Sequence, residues 1–381
     1  MSEQVFTNAR VVLANIVLDS GTVVARDGVI VEIDTRLSHA PGAFDFGGDL
    51  LIPGMVELHT DNVERHIMPR PGTTWPADAA MLAHDREIAA SGITTVLNAL
   101  CVGEVHSRSA RLEILHDLYA AMEAMRDADA FKADHYIHWR CEISYGGLRD
   151  LLGPLMDYKN IRLVSVMDHT PGQRQFMDIS RYAEYYQGKF NMSDAELQAF
   201  VNQRRADQEK FSASNRAMVV GWSQDRGIPL ASHDDATAAH VSEAVADKMA
   251  IAEFPTTVEA ARASHENGLA VLMGGPNIVR GKSHSGNIAA RELGALGVLD
   301  IISSDYVPAS LLYGALTLER EVNGVTLPQA IATVTRNPAR ACGFMDRGEI
   351  AIGQRADLVR VRPTNRAPVV RDVWRLGEKV A

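Results

Sequence analysis

The chain has 381 residues, is 46% hydrophobic and 23% charged, and carries a net charge of −10. That is globular composition, long enough for one large barrel with an appendage or for two or three domains. The acidic balance argues against broad binding to nucleic acid or to a membrane surface, and it requires a local basic patch for any anionic substrate.

The N-terminus, MSEQVFTNARVVLAN, lacks a basic segment followed by a long apolar one, and no stretch approaches 18 apolar residues. Neither a signal peptide nor a transmembrane helix is expected. Cys101, Cys141 and Cys342 are odd in number and widely spaced. They predict no disulfide framework and no CxxC zinc site, so a reducing, cytoplasmic setting is expected. The first 50 residues read as short strands, VFTNARVVL, GTVVARDGVIVEI and FDFGGDLLIP, punctuated by Gly21, Asp27-Gly28 and Gly47-Gly48. The C-terminal GEIAIGQRADLVRVRP and APVVRDVWRLGEKV look alike. Residues 1–50 and 344–381 are therefore expected to join in one small sheet domain.

The middle, residues 51–343, alternates. Strand candidates are MVELH (55–59), TTVLNAL (94–100), DHYIHWRCEI (134–143), RLVSVMDH (162–169), IPLASHDD (228–235), MAIAEF (249–254), LAVLMGG (269–275) and DIISSDY (300–306). Ser193-x-x-Glu196 and Thr256-x-x-Glu259 have capping-box spacing, and Asp78 is expected to cap the helix ending at Gly92. Eight strands alternating with helices predict an α/β fold, a (β/α)8 TIM-like barrel. An open doubly wound sheet is the competing architecture, but no GxGxxG follows an early strand. Residues 171–227 form one long, charged, helix-like connection, a lid or a solvated helical excursion.

Polar residues at the C-terminal ends of barrel strands face the active site. Here those ends hold His59 and Asp61, Glu142, Asp168 and His169, His233 with Asp234 and Asp235, and Asp305. His59 and Asp61 are two apart, which in a strand directs both to one side. Imidazole and carboxylate together suit a divalent zinc, manganese or iron ion. Each residue alone is as well read as a hydrogen-bonded rim group. Five such strand ends are stronger, because these residues are costly at the end of an apolar strand. Asp168 is a candidate second acceptor for a metal-bound histidine. Of the remaining histidines, His39, His84, His106, His116, His135, His240 and His265 are expected mostly at the surface, and His138, inside a strand candidate, in the core.

LIPGMVELHTD resembles the PG-x-x-[DE]-x-H-x-[HD] opening of the amidohydrolase superfamily. TRNPARACG (335–343) and GEIAIGQRADLV (348–359) resemble its closing helix and strand. VELHTDNVERHIMPRPG, HWRCEIS, MDHTPGQRQF, GGPNIVRGKSHSGN and SSDYVPASLL resemble more narrowly the branch that releases diphosphate from a triphosphorylated ribose in phosphonate catabolism.

The resemblance implies a metal-dependent barrel with a β-sandwich, usually a homodimer. His59, Asp61, Glu142, His169 and His233 would hold one or two divalent ions. The superfamily's usual opening is His-x-His, so Asp61 departs from it. WRCEIS contains no lysine, so Glu142 is expected to bridge in place of the modified lysine of many relatives. Asp305 would take a proton from the attacking water. Arg280, Lys282, His284 and Asn277, in the glycine-rich segment, would bind the phosphorylated substrate, with Arg65, His66 and Arg174 as further contacts or structural ion pairs. Two readings compete: hydrolysis of an amide, cyclic amide or aminopurine, and a catalytically silent binding subunit. Arg280, Lys282 and His284 speak against the first and the filled metal positions against the second.

Overall fold

A computed structural model describes residues 3–70, 72–103, 111–174, 192–283 and 286–381. Strands from the two ends share one sheet. β1 (Glu3–Val12), β2 (Val17–Arg26) and β3 (Val29–Asp34) form an antiparallel meander, while β4 (Phe44–Asp45) and β5 (Leu50–Pro53) run parallel to β1. Asp27 and Gly28 make the β2–β3 turn with φ of 50° and 82°, the left-handed pair that a two-residue hairpin demands. From the other end, β14 (Leu358–Arg362) pairs antiparallel with β5, and β15 (Val369–Arg375) and β16 (Glu378–Lys379) extend the edge. Hydrogen bonding thus joins both termini in one eight-stranded mixed sheet. Phe6, Phe46 and Trp374 fill its inner face, with Phe6 and Trp374 5.0 Å apart edge to face.

All eight central candidates are strands: β6 (Met55–Thr60), β7 (Ile93–Val102), β8 (Asp134–Glu142), β9 (Ile161–Met167), β10 (Leu230–His233), β11 (Ile251–Glu253), β12 (Ala270–Gly274) and β13 (Ile301–Ser303). They form one parallel sheet in sequence order. Thr60 and Asp305 bridge the last strand back to the first. Glu57 ties the same seam, accepting from the backbone N–H of His59 at 2.7 Å and of Ser304 at 2.6 Å. Several strands stop short of their predicted ends because the polar residues there serve loops. Asp168 Oδ1, for example, accepts from the Thr170 N–H at 3.0 Å.

The lumen is layered. Val56, Leu58, Leu97, Leu163, Ala231, Ile251, Leu272 and Ile301 close its N-terminal end with Cys342 and Phe344. Ile137, Trp139 and Cys141, the alternate residues of β8, pack outward against the helices. His138 and Glu142 therefore face inward. All three cysteines are buried.

Ser193 caps a 32-residue helix, Asp194–Asp225, with both arms of the capping box formed. Its residue Asn215 donates to the Ile143 and Tyr145 carbonyls, docking the helix beside β8. Residues 175–191 of the expected insertion lie outside the described residues. Two helix starts differ from expectation. Thr257, not Thr256, caps the helix Val258–Glu266, because the backbone N–H and hydroxyl of Thr256 are both turned to the Asp235 carbonyl. Pro76 precedes the helix Ala77–Ala90, so Asp78 sits inside the first turn, where its charge favours the helix dipole. Among the described residues no helix is long and apolar enough to cross a membrane.

Candidate metal centre

The strand ends bring two donor groups together inside the barrel mouth. The outer group is His169, His233 and Asp234, whose ligand atoms all lie within 4.8 Å of one another. His233 Nδ1 is 2.7 Å from Asp234 Oδ2, and His169 Nδ1 is 2.7 Å from Glu142 Oε2. A carboxylate facing Nδ1 fixes the proton there and turns the Nε2 lone pair inward. His233 Nε2 is buried and has no hydrogen-bond partner among the described residues. A buried imidazole nitrogen left open in this way, beside carboxylates, fits a divalent ion.

The inner group is His59, His138 and Glu253. His59 Nδ1 is 3.0 Å from Glu253 Oε1. Ser165 Oγ donates to the other Glu253 oxygen and lies beside His138 Nε2, and His138 Nδ1 donates to the Leu58 carbonyl at 2.9 Å. The His59 and His233 rings are 5.8 Å apart, so the two groups adjoin.

The electrostatics divide in the same way. Burial lowers the pKa of His59 well below its ordinary value and that of His138 to about 3, so both rings are neutral donors. For His169 burial opposes the charge, but the Glu142 carboxylate outweighs it and raises the pKa. Burial likewise opposes ionisation of Glu142 and Asp234, and their histidine partners reverse it, lowering both. Asp305 is different: burial, reinforced by the Asp61 charge, raises it to about 7. Asp234 and Asp305 also hold φ of 57° and 56°, a left-handed geometry that aspartate tolerates better than most residues.

The predicted site residues separate accordingly. His59, Glu142, His169, His233 and Asp305 converge on the mouth, and Asp61 lies beside Asp305, its N–H on the Asp305 carbonyl at 3.2 Å. Both Glu142 oxygens face protein donors, His169 and Ser144, so in this arrangement it orients His169. Arg65 and His66 turn to Glu87 at 3.1 and 2.8 Å, and Arg174 is buried against Asp235 and Glu243. In this structure all three side chains therefore face carboxylates.

The segment foreseen as an oxyanion loop begins as a helix, Gly275–Arg280, closed by Gly281 in the left-handed region. Gly275 serves packing: a Cβ there would meet the Ser310 carbonyl at 2.7 Å. Asn277 holds the backbone of Ile288 and Ala290 at 3.1 and 3.0 Å, Arg280 and Lys282 are exposed, and His284 lies outside the described residues.

Sequence reasoning missed His138 and Glu253 as donors. The signal was present: Glu253 is the lone charge in the apolar run MAIAEF, just as Glu57 is in LIPGMVEL. His84 and His135, expected at the surface, are buried in a hydrogen-bonded chain through Asn98, ending on Asp85.

A family model described as the amidohydrolase family matches residues 86–380. The chain belongs to the amidohydrolase family. It is 46% identical, over 99% of its length and 100% of the relative's, to the alpha-D-ribose 1-methylphosphonate 5-triphosphate diphosphatase of Escherichia coli K12. It is 26% identical to the imidazolonepropionase of Deinococcus deserti over 95% of this chain and 92% of that one. Among solved amidohydrolase-like structures, N-isopropylammelide isopropylaminohydrolase of Burkholderia multivorans superposes with a TM-score of 0.67 at 18% identity, covering 100% of this chain and 98% of that one. N-acetyl-D-glucosamine-6-phosphate deacetylase of Mycobacterium smegmatis does so at 0.63 and 16%, covering 100% of both chains. At such identities the likeness is one of fold.

Proposed function

We infer that this amidohydrolase cleaves α-D-ribose 1-methylphosphonate 5-triphosphate to the 5-phosphate and diphosphate, in phosphonate catabolism. The observation that carries the reading is the end-to-end 46% identity to the Escherichia coli diphosphatase. The donor chemistry of the barrel mouth supports it. His169, His233 and Asp234 on one side, with His59, His138 and Glu253 on the other, would hold one or two divalent ions of zinc, manganese or iron. When bound, a divalent ion polarises phosphoryl oxygens and lowers the pKa of water from 15.7 to about 7.

The chain's own residues supply position and proton transfer. Glu142 and Asp234 fix the tautomers of His169 and His233. Asp305, with its pKa near 7, accepts a proton from the attacking water at neutral pH and can return it to the departing diphosphate. The apolar plug beneath the cluster keeps water to the mouth. Phosphoryl transfer asks for little more than such positioning and charge stabilisation.

The test is direct. Protein supplied with Mn²⁺ or Zn²⁺ should release diphosphate from a ribose 5-triphosphate analogue. Absence of release, with turnover of an amide, cyclic amide or aminopurine panel, would overturn the reading in favour of the other chemistry of this family.

A further inference from the structure

The arginines first expected to meet phosphate are paired elsewhere or lie on the surface, yet a different arginine stands inside the barrel. Arg140 lies on β8 between His138 and Glu142. Its neighbours Trp139 and Cys141 belong to the outward core, so strand alternation turns Arg140 to the lumen with His138 and Glu142. Its register partner on β9 is Ser165, which lies between His138 and Glu253. It is partly accessible, whereas His138 and Glu142 on either side are buried.

Its charge is felt across the site. Behind the dominant effect of burial, it disfavours protonation of His59, His138 and His169. It also favours ionisation of Asp234 and Asp305. Those five groups stand on or just beyond β6, β8, β9, β10 and β13. These strand ends surround the lumen into which β8 turns Arg140.

A cation here works against holding divalent ions, since like charges a few ångströms apart repel. Guanidinium is, however, the side chain best shaped to grip phosphoryl oxygens with two parallel hydrogen bonds. An anion lying between Arg140 and the donor groups would satisfy both. We propose that Arg140 is the barrel-wall residue that binds the triphosphate chain of the substrate, orienting it across the His169–His233–Asp234 and His59–His138–Glu253 groups. This rests on the triphosphate reading above.

The experiment uses Mn²⁺-loaded protein and inorganic tripolyphosphate as the probe. Calorimetric affinity, Mn²⁺ per chain and diphosphate release from a ribose 5-triphosphate analogue are measured for the unaltered protein, Arg140→Gln and Arg140→Lys. Loss of a desolvated charge pair predicts tripolyphosphate binding weakened ~30-fold or more in Arg140→Gln. Mn²⁺ content should not fall, Arg140→Lys should be intermediate, and Arg140→Gln should be partly rescued by added guanidinium.

Should Arg140 serve only as a counter-ion to the carboxylates, Arg140→Gln would alter Mn²⁺ content and leave tripolyphosphate affinity untouched, which overturns the proposal. If Arg140→Gln does not fold, Arg140→Lys alone decides: retained affinity without bidentate geometry overturns it. Should the unaltered protein bind tripolyphosphate yet release no diphosphate, the triphosphatase reading fails, while the binding contrast still decides for Arg140.

Discussion

The two donor groups at the barrel mouth are built from the same residue types but are held differently. The inner group, His59, His138 and Glu253, grows from strands and is closed by Ser165, with its members almost wholly buried. The outer group, His169, His233 and Asp234, stands at strand ends and leaves His233 Nε2 open. An inner group that satisfies its own hydrogen bonds supports the fold whether or not an ion is present. An outer group with an open nitrogen needs a ligand to be complete. Removal of the ion, and removal of each group, should therefore read out differently.

The largest effect falls on the outer group. His233→Ala, or chelation of the ion, should cut diphosphate release by ~10³-fold or more, the several kcal/mol that a Lewis acid contributes. Bound metal should fall in parallel, with the melting temperature of the metal-free protein nearly unchanged. Retention of full metal content in His233→Ala would contradict the division.

Glu253→Leu should do the reverse. It strips a buried partner from His59 and Ser165, which costs about 3–5 kcal/mol of stability. Urea unfolding of metal-free protein measures it. A loss below about 1 kcal/mol would mean that the inner group, too, depends on an ion.

Asp305→Asn should keep metal and stability but lower turnover by ~10²-fold, the usual contribution of a general base. Burial and Asp61 raise the Asp305 pKa to about 7 in the metal-free protein and a bound cation lowers it, so turnover should rise with pH below about 7, and the rise should vanish in Asp305→Asn. The stability effect has the opposite sign. Glu57, raised by burial, and Asp305 both lie at about 7 in the folded state, above their unfolded values. Their contribution to the metal-free protein is present below the unfolded pKa and is lost as pH rises through about 7. A metal-free protein that gains stability across that range would refute the assignment.

How much of this was legible follows the same divide. The barrel was readable because each strand is an apolar run that burial requires, and the short strands of the N-terminal end were marked by turn residues such as Asp27-Gly28. Residues that end an apolar strand, His59 and His233 among them, pointed to the candidate site. His138 and Glu253 did not, because a buried polar residue and a core residue look alike in an apolar run until the layer they share is known. The partners of Arg65 and Arg174 were not legible for a related reason. Proximity along the chain to a metal residue says nothing about which carboxylate a long side chain will reach, and both reach Glu87 or Asp235 instead. Glycine-rich 274–287 read as an anion cradle, but Gly275 is small because Ser310 lies against it.

The finest test compares two serines in matching roles. Ser144 donates to Glu142 at 2.6 Å in the outer group, and Ser165 donates to Glu253 in the inner one. Each removes one charge-assisted hydrogen bond when changed to alanine, worth about 1.5–3 kcal/mol in isolation. Their consequences should diverge. Ser165→Ala leaves a Glu253 oxygen buried and short of a partner, so the cost should appear in unfolding of the metal-free protein. Ser144→Ala leaves Glu142 still held by the ring and the backbone N–H of His169, so stability should change by less than about 1 kcal/mol. Its effect should instead appear as metal affinity weakened ~10-fold, as for partners that orient a ligating histidine. Equal stability losses in the two variants would show that both groups are structural, and the open nitrogen of His233 would then need another explanation.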